Sequence, residues 1–211
     1  MKVHSTDLRS TGGDLRWNTP VAGLIVGSSV HLNKFRANQT VSYYGQNLTL
    51  GSRVNPERIV AAYADYTHGN WHFSAEGRTD HHIYLTTIAP AIFGPGESAT
   101  DEGFTAWYVT AAYRISKRLE VGTYRSQYEC SPSPSLDPTQ PTVVDPNSKH
   151  IYDQTVTARI DLTKFWNVKL EGHFIQGYGN NYAARGFYPA NNPGGLQPNT
   201  NLLSVRTGWN F

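Results

Sequence analysis

An alternation of period two recurs along the chain and constrains its fold more than any other feature. Residues 71–80 put Trp71, Phe73, Ala75, Gly77 and Thr79 on one side, and His72, Ser74, Glu76, Arg78 and Asp80 on the other. In 153–162, Gln154, Val156, Ala158, Ile160 and Leu162 oppose Asp153, Thr155, Thr157, Arg159 and Asp161. Residues 168–175 set Val168, Leu170, Gly172 and Phe174 against Lys169, Glu171, His173 and Ile175. At the C-terminus Leu203, Val205, Thr207, Trp209 and Phe211 oppose Leu202, Ser204, Arg206, Gly208 and Asn210. Successive side chains of a strand point to opposite faces, so each window reads as a strand with one apolar face. Less regular windows at 23–33, 58–67, 104–115 and 119–128 bring the expected number of strands to eight. In 119–128 the pattern falters at Arg125, which predicts a bulge or an exposed strand end there.

Composition agrees with strands and excludes several other classes. Among 211 residues there are 19 Gly, 12 Pro, 13 Tyr, 8 Phe and 5 Trp, a palette of strands and turns. No run approaches the roughly 18 apolar residues of a membrane-spanning helix. A net charge of +2 gives no concentrated basic footprint for nucleic acid. Cys130 is the lone cysteine and has no internal disulfide partner. The residues after Met1 (Lys2-Val3-His4-Ser5-Thr6-Asp7) hold no apolar stretch of the kind a signal peptide needs.

The connections separate two all-β solutions. Short ones fall at 67–70, 116–118 and 163–167; long ones at 34–57, 81–103, 129–150 and 179–200 hold most of the Pro and Gly. Loops of that length count against a compact soluble domain, but suit a barrel with one short-turn rim and one long-loop rim. Charged ladders on the polar face suit a water-filled lumen. Trp17, Tyr66, Trp71, Tyr113, Phe165, Trp166, Trp209 and Phe211 gather toward the short-turn rim, with Phe104 and Trp107 toward the other, as interfacial aromatics do. The face between them is Val, Leu, Ala, Gly and Ile. Hydrocarbon requires such a face, and requires the sheet to close. The expectation is one domain over 1–211, an antiparallel up-and-down transmembrane β-barrel.

The ending Leu203-Ser204-Val205-Arg206-Thr207-Gly208-Trp209-Asn210-Phe211 resembles the C-terminal signal of Gram-negative outer-membrane β-barrels. From about residue 15 onward the strand rhythm resembles the C-terminal half of a bacterial porin, within the broad group that includes phosphate-selective porins. The resemblance implies a place in the bacterial outer membrane, in contact with lipid and lipopolysaccharide. It implies that Trp209 and Phe211 are read by the barrel-assembly machinery, and that porin-like homotrimers form. Short turns would be periplasmic and long loops extracellular. Strands upstream of residue 15 are then expected, although eight strands alone would also close evenly.

The expected function is passive diffusion of small hydrophilic solutes and ions, with no cofactor and no covalent chemistry. Expected pore-lining residues are Glu76, Arg78, Asp80, Arg114, Arg159, Asp161, Lys169, Glu171, His173 and Arg206, and Tyr66, Trp71, Trp107, Tyr113, Trp166 and Trp209 are the interface aromatics. The slight excess of bases in that lumen set predicts a weak anion preference. The plainer reading is that these charges satisfy one another across neighbouring strands. Asp80-His81-His82 carries metal-ligand chemistry, but adjacent histidines project to different sides and no further ligands are evident, so no metal is expected. His173 with Glu171, and Asp80 with His81, are acid–base pairs on paper; same-face neighbours are commonplace in strands, and no enzyme is expected. The alternatives are a filled eight-stranded barrel serving as an anchor or adhesin, and a hydrolase built at the barrel rim. Gly94-Pro95-Gly96 and Gly177-Tyr178-Gly179 read as turns.

Overall fold

The computed structural model describes residues 2–43, 45–89, 97–130, 146–179 and 197–209. Its strands are β1 (Lys2–Asn18), β2 (Leu24–Tyr43), β3 (Gln46–His68), β4 (Trp71–Ala89), β5 (Glu97–Arg114), β6 (Leu119–Cys130), β7 (His150–Asp161), β8 (Trp166–Gln176) and β9 (Asn199–Trp209). They form one nine-stranded sheet in sequence order, every neighbouring pair antiparallel. Among the described residues, no ladder joins β1 to β9.

Tight turns lie along one rim. His68 pairs with Trp71, leaving Gly69-Asn70 as a two-residue loop. Gly69 has φ +56°, a left-handed value that the short hairpin requires and glycine adopts without steric cost. Between β7 and β8, Leu162 N donates to Trp166 O (2.9 Å), while Thr163 Oγ1 accepts from the amides of Phe165 (3.1 Å) and Trp166 (3.0 Å). That hydroxyl replaces ladder bonds the turn cannot make.

Three expectations need correction. The segment 34–57 is not a long loop: β2 and β3 continue as paired strands up to Tyr43↔Gln46. Residues 81–89 and 97–103 likewise belong to β4 and β5. Beside the expected eight strands, Lys2–Asn18 forms a ninth that pairs with β2, in keeping with the strands expected upstream. Arg125 causes no bulge; the β5–β6 and β6–β7 registers run through it unbroken. The irregularities instead fall between Val3 and Ser5, between Asn33 and Phe35, and between Val54 and Arg58. The last of these includes Pro56, which has no N–H to give a ladder and is at home in a bulge. Phe211, Gly94-Pro95-Gly96 and the proline-rich 131–145 lie outside the described residues.

Burial runs opposite to that of a water-soluble sandwich. The polar face is the packed one: Thr155 is 0% exposed, and Asp80 and Glu171 are each 2% exposed. Apolar side chains on the other face stay open, with Val156 at 53%, Leu170 at 40% and Leu203 at 75%. The sheet therefore wraps around its polar side chains. A sandwich does the reverse and seals its apolar faces together.

Aromatic rings collect on the apolar face at the short-turn rim. Trp166 stacks on Trp209 at 4.8 Å with ring planes 4° apart. Trp71 meets Tyr113 at 4.7 Å and Phe73 at 5.5 Å, and Tyr66 reaches Phe73 at 6.4 Å. Trp107 shares this face farther along β5, paired between Gly77 and Gln127.

Candidate functional site: the polar face

Register decides which charges meet. Glu76, Arg78, Asp80, Arg114, Arg159, Asp161, Lys169, Glu171, His173 and Arg206 all fall on the packed polar face, but they divide into separate clusters.

Near the short turns, Arg114 of β5 donates to Asp161 of β7 (2.9 Å) and Glu120 of β6 (2.8 Å). Arg159 Nε donates to the other oxygen of Asp161 at 2.9 Å. One guanidinium thus ties three strands across the face. Glu120 was absent from the expected pore-lining set, although its place opposite Leu119 and Val121 already put it on the polar side.

On β8 and β9, Glu171 lies between Lys169 (3.0 Å) and Arg206 (2.8 Å). It is not paired with His173. The Nδ1 atom of His173 instead meets Asp153 Oδ2 (2.8 Å), Thr155 Oγ1 (3.1 Å) and the Tyr124 hydroxyl (3.4 Å). A nucleophile–base–orienter relay needs the hydroxyl and the carboxylate on opposite ring nitrogens. Here both share one nitrogen, so the cluster organises three strands and lacks the geometry of a hydrolase.

On β3–β5, Tyr108 donates to Glu76 (3.4 Å), and the Arg78 guanidinium lies 5.1 Å from the centre of the Phe104 ring. His81 points to the opposite face and pairs with Asp101 at 2.8 Å, so Asp80 and His81 are not partners. Asp80 faces His82, with Oδ1 3.2 Å from Nδ1. Glu57 reaches the same nitrogen at 3.9 Å, and Glu102 lies 3.5 Å from Nε2. Glu57 and Glu102 were missed because both sit in stretches the sequence pattern marks as loop. Paired strands there, with Glu57 on the side of Ile59 and Glu102 opposite His82, bring them in.

The full register also reverses the charge balance. Among the described residues, the polar face carries the cations Arg16, Arg78, Arg114, Arg159, Lys169 and Arg206. It carries more acids: Asp14, Glu57, Asp65, Glu76, Asp80, Glu102, Glu120, Asp153, Asp161 and Glu171. The expected weak anion preference rested on a partial set; over the described residues acids outnumber bases on this face.

Comparison with solved structures finds a likeness in fold. A solved structure of the NanC porin, in a rhombohedral crystal form, superposes with a TM-score of 0.46 at 10% identity, over 99% of this chain and 98% of that one. No family model and no curated protein matches the chain.

Proposed function

We propose that this chain forms a membrane-spanning β-barrel, or the larger part of one, that conducts ions and small hydrophilic solutes across a bacterial outer membrane. The inverted burial carries the reading. A sheet that packs charged ladders inside and leaves Val156, Leu170, Val205 and Leu203 open outside is stable where its surroundings are hydrocarbon. The aromatic cluster at the short-turn rim fits a membrane–water interface. In lipid the free edges of β1 and β9 must be paired, with each other or with further strands. Trp209 and Phe211 belong to the same reading as the assembly signal, as do lipopolysaccharide contact and association into trimers.

Selectivity follows from how the charges are partnered. Of the cations on this face, Arg78, Arg114, Arg159, Lys169 and Arg206 each lie within 4.0 Å of a carboxylate, whereas Arg16 has none that close among the described residues. Glu76 has only a tyrosine hydroxyl, and Asp65 only His72 at 2.8 Å, so the uncompensated field is acidic. Fixed charge in a low-dielectric-walled channel enriches the counter-ion, here cations.

The test is the reversal potential of the full chain in a planar bilayer under a salt gradient. Stepwise conductance with cation preference is expected, with a further shift toward cations in Arg78→Glu and Arg159→Glu. Protein that inserts without conducting would sink the channel and leave a filled barrel. An anion-selective reversal potential would sink the electrostatic account.

A further inference from the structure

The structure assigns a divalent-cation site to Glu57, Asp80 and His82 on the polar face, suited to a borderline ion such as Zn2+. One ligand atom from each residue lies within 4.8 Å of the other two. Nδ1 of His82 stands 3.2 Å from Asp80 Oδ1 and 3.9 Å from Glu57 Oε1. Donors at zinc-bonding distances of about 2.0–2.2 Å in a tetrahedron stand roughly 3.3–3.6 Å apart, so these spacings need little adjustment. Two carboxylates and an imidazole suit a borderline first-row ion better than Ca2+ or Mg2+, which take oxygen donors.

Two further observations point to a ligand. Asp80 is 2% exposed, and its buried Oδ2 has no hydrogen-bond partner. Its nearest cation, Arg78, stands 4.0 Å away, beyond hydrogen-bond reach, with its guanidinium over Phe104. A buried carboxylate oxygen left this way costs free energy that a cation would recover. The surrounding groups also orient the ligands. Nε2 of His82 faces Glu102 Oε2 at 3.5 Å, so a proton held there would release Nδ1, now within hydrogen-bond reach of Asp80 Oδ1, for coordination, and Asn33 Nδ2 donates to Glu57 Oε2 at 2.6 Å. Outer partners of this kind fix the tautomer and orientation of metal ligands.

Glu57 stands on the polar side of β3 by alternation with Ile59, which pairs with Asp80, and its register with Asn33 of β2 is regular. Three protein ligands leave a fourth position of a tetrahedral ion to water or solute. A bound ion would offset the negative charge of the cluster and hold β3 to β4 at that level.

The test is calorimetric titration of Zn2+ into the metal-stripped, folded full chain, with visible absorption of Co2+ as a second probe. Stoichiometric binding is expected, with tetrahedral cobalt bands. Asp80→Asn and His82→Gln should each lower affinity at least tenfold. Glu102→Gln should lower it about tenfold, the low end for an outer partner. His81→Gln changes a neighbour on the opposite face and should bind as the parent does. If Asp80→Asn fails to fold, Glu57→Gln takes its place with the same expected loss. Absence of stoichiometric binding, or parental affinity in the ligand variants, overturns the site. Binding is read without conductance, so this result and that of the channel experiment stand apart.

Discussion

The two ends of the sheet use strands of different length. The four strands β2–β5 run 20, 23, 19 and 18 residues, whereas β6–β9 run 12, 12, 11 and 11. A tilted strand crosses hydrocarbon in about 9–11 residues. The short strands fit that span and little more. The long ones continue beyond it by about eight to thirteen residues, roughly 25–45 Å at about 3.3 Å per residue. Their outward face changes character where the excess begins. On β2 it reads Leu24, Val26, Ser28, Val30, Leu32 and then Lys34 and Arg36. Leu32 pairs with Arg58, and Arg58 with His81, so the apolar band stops at one level on three adjacent strands. The apolar stripe marks what the sheet touches, and the ladder marks how far the sheet goes. In β7–β9 the two nearly coincide; in β2–β5 they do not, nor in β6, whose outward face carries Arg125, Gln127 and Glu129.

The sharpest way to break this contrast is the same kind of substitution on either side of the boundary. Val156 and Leu170 are outward and mid-strand on β7 and β8, and arginine at either should cost about 2–4 kcal/mol of folding free energy in lipid. Ile83 is also outward and 46% exposed, but lies beyond the apolar band opposite Asp101, and Ile83→Arg should cost less than about 0.5 kcal/mol. Denaturant titration of folding into vesicles reads both. Equal costs would mean that the long strands carry lipid along their whole length, or that none do.

Next in size is Arg114→Ala. It strips the cation from Glu120 and one of two from Asp161, whose side chains are 27% and 20% exposed, and should cost about 2 kcal/mol in the same assay. Three strands of the short-turn rim meet at this residue. A loss near zero would show that this rim is held by its ladders and turns alone.

The same boundary explains what could be read from the sequence. The windows 153–162 and 168–175 match β7 and β8 closely, because lipid on one face and charge on the other enforce alternation. The outer parts of β2, β3 and β4 pair too, past irregularities at 33–35 and 54–58, yet Lys34, Arg36 and Arg53 face outward there, and polarity on both faces erases the period, so the stretch reads as loop. The polar face was legible as a list and not as a set of contacts. Glu171 faces Lys169 and Arg206 rather than His173, and only the register of β6 to β7 and β8 brings Tyr124, Thr155 and Asp153 to that imidazole. Glu57 lies two residues before Ile59 on the polar side of β3, but Pro56 beside it makes that continuation of the strand look like loop.

A smaller effect is expected at the aromatic rim. The Trp166–Trp209 stack joins β8 to β9, and Trp166 Nε1 also donates to Thr207 at 2.6 Å. A double-mutant cycle with alanine at both tryptophans should return a coupling of about 1 kcal/mol beyond the loss of buried area. No coupling would mean that each ring interacts with its surroundings separately.

The smallest effect belongs to the far end of the long strands. Arg53 and Glu97 form an outward ion pair at 3.2 Å, with side chains 51% and 52% exposed. Water screens both partners, and holding two long side chains together costs entropy, so Arg53→Ala should change stability by no more than about 0.5 kcal/mol. That change should fade as salt rises, since the Debye length is only about 8 Å at physiological ionic strength. The Arg114 cluster, packed inside, should keep most of its effect at the same salt. Equal salt sensitivity at the two sites would mean that the polar face is as open to water as the protruding strands, and the distinction between a packed interior and a solvated extension would fail.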